Sequence, residues 1–114
     1  MKIATAISVG DYLDRLSILN IKKEKGLDVE NELTNYHRRL IDLDDGHNYY
    51  LNVIKAINLQ LWDLEDIKRK DVERYTKKES DTAFLITQLN ELRHETKKRI
   101  DIYFGSDFTE KKSH

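Results

Sequence analysis

The sequence predicts an all-α domain, an antiparallel bundle of about four helices with a long helix three/four hairpin, and three observations carry that reading. Apolar residues recur at helical spacing through most of the 114-residue chain. There is no proline and there are only four glycines, so the commonest helix breakers are nearly absent. The composition is 39% hydrophobic and 36% charged, enough to cover one face of several helices and to solvate the other. A chain of this length has room for one core, and residues 1–114 are read as a single domain.

The first helix is expected over 8–25. Ser8-Val9-Gly10-Asp11 has the form of a capping box, with a hydroxyl for an orphan N–H and a carboxylate in the first turn. Val9, Tyr12, Leu16 and Leu19 form an inner stripe flanked by Leu13, while Ile18 and Ile21 fall on the opposite side. A helix apolar on two sides is expected between neighbours, within the bundle or against a subunit. Gly26 suits the residue just past its end.

Asp28 is read as the cap of a second helix, 28–44, in which Val29, Leu33, Tyr36, Leu40 and Leu43 alternate at four- and three-residue steps. Asp44-Asp45-Gly46-His47 supplies turn chemistry. A third helix is expected over 48–78 from Tyr50, Ile54, Ile57, Leu61 and Leu64, extended by Ile67, Val72 and Tyr75, with the charged stretch Lys68 to Arg74 as the place for a kink or break. Ser80-Asp81 is read as the cap of a fourth helix, 81–104, with Leu85, Leu89, Leu92, Thr96 and Tyr103 as its seam and Gly105 as its stop. Residues 105–114 form a polar tail.

These lengths are unequal. Two helices of about 17 residues span ~25 Å, whereas one of about 30 spans ~45 Å. The far half of the last hairpin should protrude, leaving Ile67, Tyr75, Phe84 and Leu85 without partners in the monomer, and a homo-oligomer is the expectation.

An up-down order brings the start of helix one, the turn after helix two and the end of helix four to one end of the bundle. That gathers Ser8, Gly10, Asp11 and Arg15 with Asp45, Gly46, His47, Gly105, Ser106, Lys111 and Lys112. N–H groups at a helix start beside basic residues can bind an anion, against the plain alternative of a cap and a stop. The candidate ligand set is Ser8, Gly10, Asp11, Tyr12, Arg15, Lys22, His47, Ser106 and Lys111, with Tyr12 available to stack on a base. An Asp11 to Arg15 ion pair is the ordinary reading of that helix face. A second candidate face joins Trp62, Glu65, Asp66 and Arg69 to Arg93 and Lys97, placed at the same level by counting back from Ser80. It is either an interhelical ion-pair network or a ligand face with an aromatic platform.

Catalysis has less support, and a protein that is not an enzyme is the preferred reading. The pairs Asp42/Asp45 and Asp63/Asp66 suggest a metal-dependent all-α nucleotide pyrophosphohydrolase, but about 16 residues of straight helix put Asp45 and Asp63 ~24 Å apart, so only an intersubunit site would serve. His37, His47, His94 and His114 make no zinc-binding pattern, and neither a phosphate loop nor a nucleophile elbow is present. No metal or cofactor is expected. Absence of cysteine fits a reducing compartment, and the cytoplasm is the default. No apolar run approaches a membrane span, Met1 to Ile7 is too short for a signal core, and the even mix of charges that sums to −1 gives no reason to expect nucleic acid.

Both ends of the chain carry a further pattern. Ser8-Val9-Gly10-Asp11 through Asp14-Arg15-Leu16-Ser17-Ile18-Leu19-Asn20-Ile21-Lys22, then Leu61-Trp62 with Leu64-Glu65-Asp66, then Gly105-Ser106 with Glu110-Lys111-Lys112-Ser113, resemble an uncharacterised family of short helical proteins of bacteria and phages. The resemblance spans most of the chain and implies no activity. It implies that the two motif-bearing ends matter jointly. Asp11 stands where that family usually has Glu, Arg15 where it has Lys, and His114 where it has Tyr.

The leading functional expectation is a non-enzymatic oligomeric module that binds or sequesters an anionic small ligand, nucleotide-like ligands included. The alternatives are a structural protein-protein adaptor and the metal-dependent hydrolase.

Overall fold

The computed structural model describes residues 7–39, 43, 46–70 and 73–105, and these contain four helices and no strand. Helix α1 runs Val9–Glu24, α2 Glu30–Arg39, α3 Gly46–Lys70 and α4 Lys77–Phe104. The ends of α1 follow the sequence signals. Ser8 Oγ accepts the Asp11 N–H at 3.1 Å. At the other end Leu27 N–H donates to Lys22 O and Gly26 N–H to Lys23 O, each at 3.0 Å, with Gly26 at φ +88°. This paired closure needs a left-handed residue at position 26, which glycine adopts without a Cβ penalty. Gly105 ends α4 in the same left-handed region.

Three boundaries depart from the sequence reading. Helix α2 begins at Glu30, with Val29 O accepting from Leu33 N–H, rather than at an Asp28 cap, and its expected last residues, 40–42 and 44, lie outside the described residues. Helix α3 ends at Lys70 and not at 78, and Val72, expected to extend it, lies outside the described residues. The run from Lys68 to Arg74 carries a single apolar side chain, and Lys68, Arg69 and Lys70 favour a helix C-terminus electrostatically. Tyr75 then takes φ +65°, and α4 starts at Lys77, four residues before the expected boundary at 81, with Thr76 and not Ser80 as its cap. Thr76 Oγ1 accepts from Glu79 N–H at 3.2 Å while Glu79 Oε1 accepts from Tyr75 N–H at 2.9 Å.

Helix α1 is the centre of the bundle and packs against α2, α3 and α4. It runs antiparallel to α2, since Tyr12 stacks on Tyr36 with ring centroids 4.9 Å apart and Lys23 pairs with Glu30 at 3.2 Å. It runs antiparallel to α4, since Gly10 meets Asp101 and Asp14 meets Arg93. Helices α3 and α4 form the remaining hairpin, with Tyr50 against Tyr103 and Ile57 packed with Ile86. The main core joins Val9, Tyr12, Leu13, Leu16 and Leu19 to Leu33, Ile54, Ile100 and Phe104. Burial on both sides of α1, with Ile21 as covered as Leu16, is the sandwiched helix that the sequence implied.

The length mismatch is present in milder form. At 16 residues α1 spans about 24 Å, against about 37 Å for the 25 residues of α3 and about 42 Å for the 28 of α4. Beyond the end of α1 the hairpin continues alone to the exposed Tyr75, and Phe84, Leu85 and Leu92 are exposed along α4. Ile67 is half-buried. No helix among the described residues is long and apolar enough to cross a membrane.

Candidate functional site

The bundle end gathers the start of α1, Gly46 and His47 at the start of α3, and the end of α4, as the up-down order requires. Three backbone N–H groups at the start of α1 are engaged. Gly10 N–H donates to Asp101 Oδ1 at 2.6 Å, Asp11 N–H to the Ser8 hydroxyl, and Tyr12 N–H to Ser8 O at 2.9 Å. The anion at this helix start is therefore the carboxylate of Asp101, supplied by the chain itself. Tyr12 is fully buried, and its hydroxyl donates to the Tyr36 carbonyl, so its ring has no face open to a base. Asp11 reaches across to Lys97 Nζ at 2.6 Å.

Lys22 lies 14 residues beyond Ser8, about 21 Å along the helix. The first candidate set thus divides in two. Ser8, Gly10, Asp11, Tyr12 and His47 remain at the bundle end, while Arg15 and Lys22 share a shallow depression with Ile18, Leu19, Glu32 and Tyr36. Ser106 and Lys111, like Asp45 and Lys112, lie outside the described residues.

The second face divides as well. The early end of α3 and the Thr76 cap shift the hairpin register, so Arg93 sits level with Asn58 and not with Asp66. Asp66 pairs within α3, with Arg69 at 3.3 Å and Lys70 at 3.2 Å. Hydrogen bonds from Lys70 and then Arg69 hold its carboxyl below the usual carboxylate range. Arg93 and Lys97 do build an interhelical ion-pair network, but with α1. Arg93 Nε donates to Asp14 Oδ1 at 2.9 Å and its Nη2 to Oδ2 at 2.5 Å, a two-pronged pair. Lys97 Nζ lies 3.8 Å from the same carboxylate. Asn58 Nδ2 donates to Asp14 Oδ1 and to Ser17 Oγ, each at 2.8 Å. The hydrogen bonds to Asp14 raise the Arg93 pKa above its ordinary value despite the opposing effect of burial.

Asp14, 3% exposed, is the residue that sequence reasoning missed. The signal for it was present: Gly10, Asp14, Ser17 and Ile21 repeat at four, three and four residues, and all are buried. They are the second covered face of α1, the one turned to α3 and α4.

Next to this network α1, α3 and α4 enclose a groove of about 330 Å³. Ile18, Ile21 and Leu61 supply its apolar surface, and Trp62, Glu65 and Arg69 follow one another along α3. Asn90 and Arg93 face them from α4, and Asn58 closes the end nearest Asp14. The groove therefore keeps Trp62, Glu65, Arg69 and Arg93 of the second candidate set together, and leaves Asp66 and Lys97 out of its lining. A wider apolar depression on the opposite side of the hairpin is lined by Leu64, Leu85, Leu89 and Leu92 with Gln60, Asp63 and Gln88.

Among the described residues no three His, Asp or Glu side chains converge on a metal-sized site, and Asp63 lies against Lys25 at 3.8 Å. Comparison with family models, with curated proteins and with solved structures returns no match for this chain.

Proposed function

We propose that the protein is a non-enzymatic oligomeric module that binds or sequesters an anionic small ligand, and that the ligand lies in the α1/α3/α4 groove and not at the bundle end. One observation carries this reading. The groove combines an aromatic ring, Trp62, and two guanidinium groups, Arg69 and Arg93, over apolar side chains of Ile18, Ile21 and Leu61. Concave apolar walls with a few convergent polar groups are what small-molecule sites share. Arg93 is held in place by Asp14, so its remaining N–H groups are ordered before any ligand arrives.

Oligomerisation belongs to the same reading. Leu85 and Leu92 are exposed beside Leu64 and Leu89 in the depression between α3 and α4, with Phe84 exposed next in sequence to Leu85, and clustered apolar exposure of this kind accompanies association. The same strip also supports a second reading, a protein-protein adaptor that docks another chain there.

A thermal-shift panel of nucleotides and other small anions tests the first reading. A ligand at about a hundred times its Kd adds roughly 2.7 kcal/mol to stability, which such an assay detects readily. Stabilisation by a panel member is expected, lost in Trp62→Ala and Arg69→Ala and kept in Lys22→Ala. A panel without effect counts against ligand binding. Native mass spectrometry reports subunit number at the same time, and a monomer that captures a different protein through the Leu85 and Leu92 strip favours the adaptor.

A further inference from the structure

Resting on the binding reading above, we infer that the groove recognises a flat heteroaromatic ring carrying no more charge than a single phosphate, a nucleobase- or nucleoside-like ligand, and makes no use of a polyphosphate. The charges around the groove exclude the larger anions. Arg93 already faces the Asp14 carboxylate at hydrogen-bond distance on two prongs, and Arg69 faces Asp66. Glu65 then adds a negative charge to the lining itself. Two guanidinium groups that each face a carboxylate, with a third carboxylate nearby, generate no strong positive field to draw a trianion or tetraanion.

The polar groups match a ring edge better than a phosphate. A phosphate presents acceptors, for which a site needs donors alone. This lining mixes the two: Arg93 retains N–H donors, Asn90 carries both an amide donor and a carbonyl acceptor, and Glu65 accepts. A base edge alternates donors and acceptors in the same way. Trp62 lines the groove and supplies an aromatic ring for stacking, and such stacking is sequence-tolerant and worth about tenfold or more in affinity. The volume, about 330 Å³, lies at the small end of ligand sites, which suits a base with its sugar and leaves a triphosphate outside.

The experiment is a titration of the full chain, by Trp62 fluorescence and by calorimetry, with a nucleoside, its monophosphate and its triphosphate for each of the common bases, and with inorganic phosphate and citrate as ring-free anions. For the preferred base, nucleoside and monophosphate should bind within about threefold of one another and the triphosphate about tenfold more weakly, a gap that narrows in Glu65→Gln as the like charge is removed. Trp62→Ala should lose about tenfold for all three, and Trp62→Phe, which keeps a stacking face, should lose less. Affinity that climbs with each added phosphate and falls steeply with salt overturns this inference and leaves the anion-binding reading standing. Binding of the ring-free anions alone does the same. Failure of every compound to bind removes both.

Discussion

Replacing Arg93 by methionine keeps the length of an unbranched stem and deletes the guanidinium, which isolates the buried pair with Asp14 from packing of the side chain. The carboxylate left behind is 3% exposed and retains Asn58 Nδ2 at 2.8 Å and Lys97 Nζ at 3.8 Å. Removing one partner of a buried ion pair costs about 3–5 kcal/mol, because the other charge stays desolvated and unmatched. The Arg93 side chain is 26% exposed and the two remaining partners persist, so the lower end applies, about 3 kcal/mol. For a domain of this size that corresponds to a fall in Tm of roughly 10–20 °C, a large part of a total stability of about 5–15 kcal/mol. Urea unfolding followed by circular dichroism at the helix band measures it. The companion variant is Asp14→Leu with Arg93→Met, which removes both charges. It should recover about half of the loss or more, since a packed apolar pair can replace a buried ionic one at little cost. A single variant within about 0.5 kcal/mol of the parent, or a double variant less stable than the single, would refute the argument that Asp14 depends on Arg93.

Three further outcomes follow from the same geometry. At Gly10 an added Cβ would lie 2.5 Å from the Lys97 carbonyl oxygen and 2.9 Å from Asp101 Oδ1, so Gly10→Ala should lose about 1–2 kcal/mol in thermal unfolding despite the better helix propensity of alanine; at Gly46 the nearest atoms are those of the Tyr103 side chain, 51% exposed, which gives way at less cost than backbone, so Gly46→Ala should lose less than Gly10→Ala. Thr76→Ala should cost about 1 kcal/mol and Ser80→Ala much less, because only the former caps α4, and equal losses would mean that the cap is misassigned. The Asp66 carboxyl titrates below its unfolded value, so its pairing stabilises the fold above about pH 4 and that contribution disappears as pH falls through the lowered pKa; the stability difference between the parent and Asp66→Asn should therefore be level from neutral pH to about pH 5, vanish in stronger acid, and shrink in high salt.

The helix count, the central place of α1 and both glycine stops were legible because each rests on a local rule. Ser8 accepts one backbone N–H, Gly26 and Gly105 take left-handed conformations, and the two apolar sides of α1 demand two sets of neighbours. What escaped the sequence was the α3/α4 turn. Val72 and Tyr75 keep helical spacing and invite an extension of α3, yet Thr76-x-x-Glu79 is a capping pattern in its own right and overrides it. Placing the turn too late by a few residues moved every pairing along the hairpin. Sequence counting puts Arg93 and Lys97 near the levels of Asp66 and Trp62, whereas their carboxylates are Asp14 and Asp11 on another helix. Periodicity identifies which side of a helix is covered, but a partner depends on the register of a second helix, and one misread cap is enough to change it.

The described part of the first candidate set is divided for a different reason. A helix start rich in N–H groups is an anion site only if the fold leaves it open, and here α4 returns Asp101 to it at 2.6 Å. The close approach of α4 to Gly10 that delivers Asp101 also sets the depth at which Arg93, two turns earlier on the same helix, meets Asp14. The two contacts fix α4 against the first half of α1. Past these contacts, towards the end of α1 at Glu24, the groove lies between the three helices, lined by the half-buried Ile18 of α1, Leu61 and Trp62 of α3 and Asn90 of α4. The two acidic side chains that clamp α1 to α4, Asp101 and Asp14, thus close the bundle end and mark the near limit of the groove.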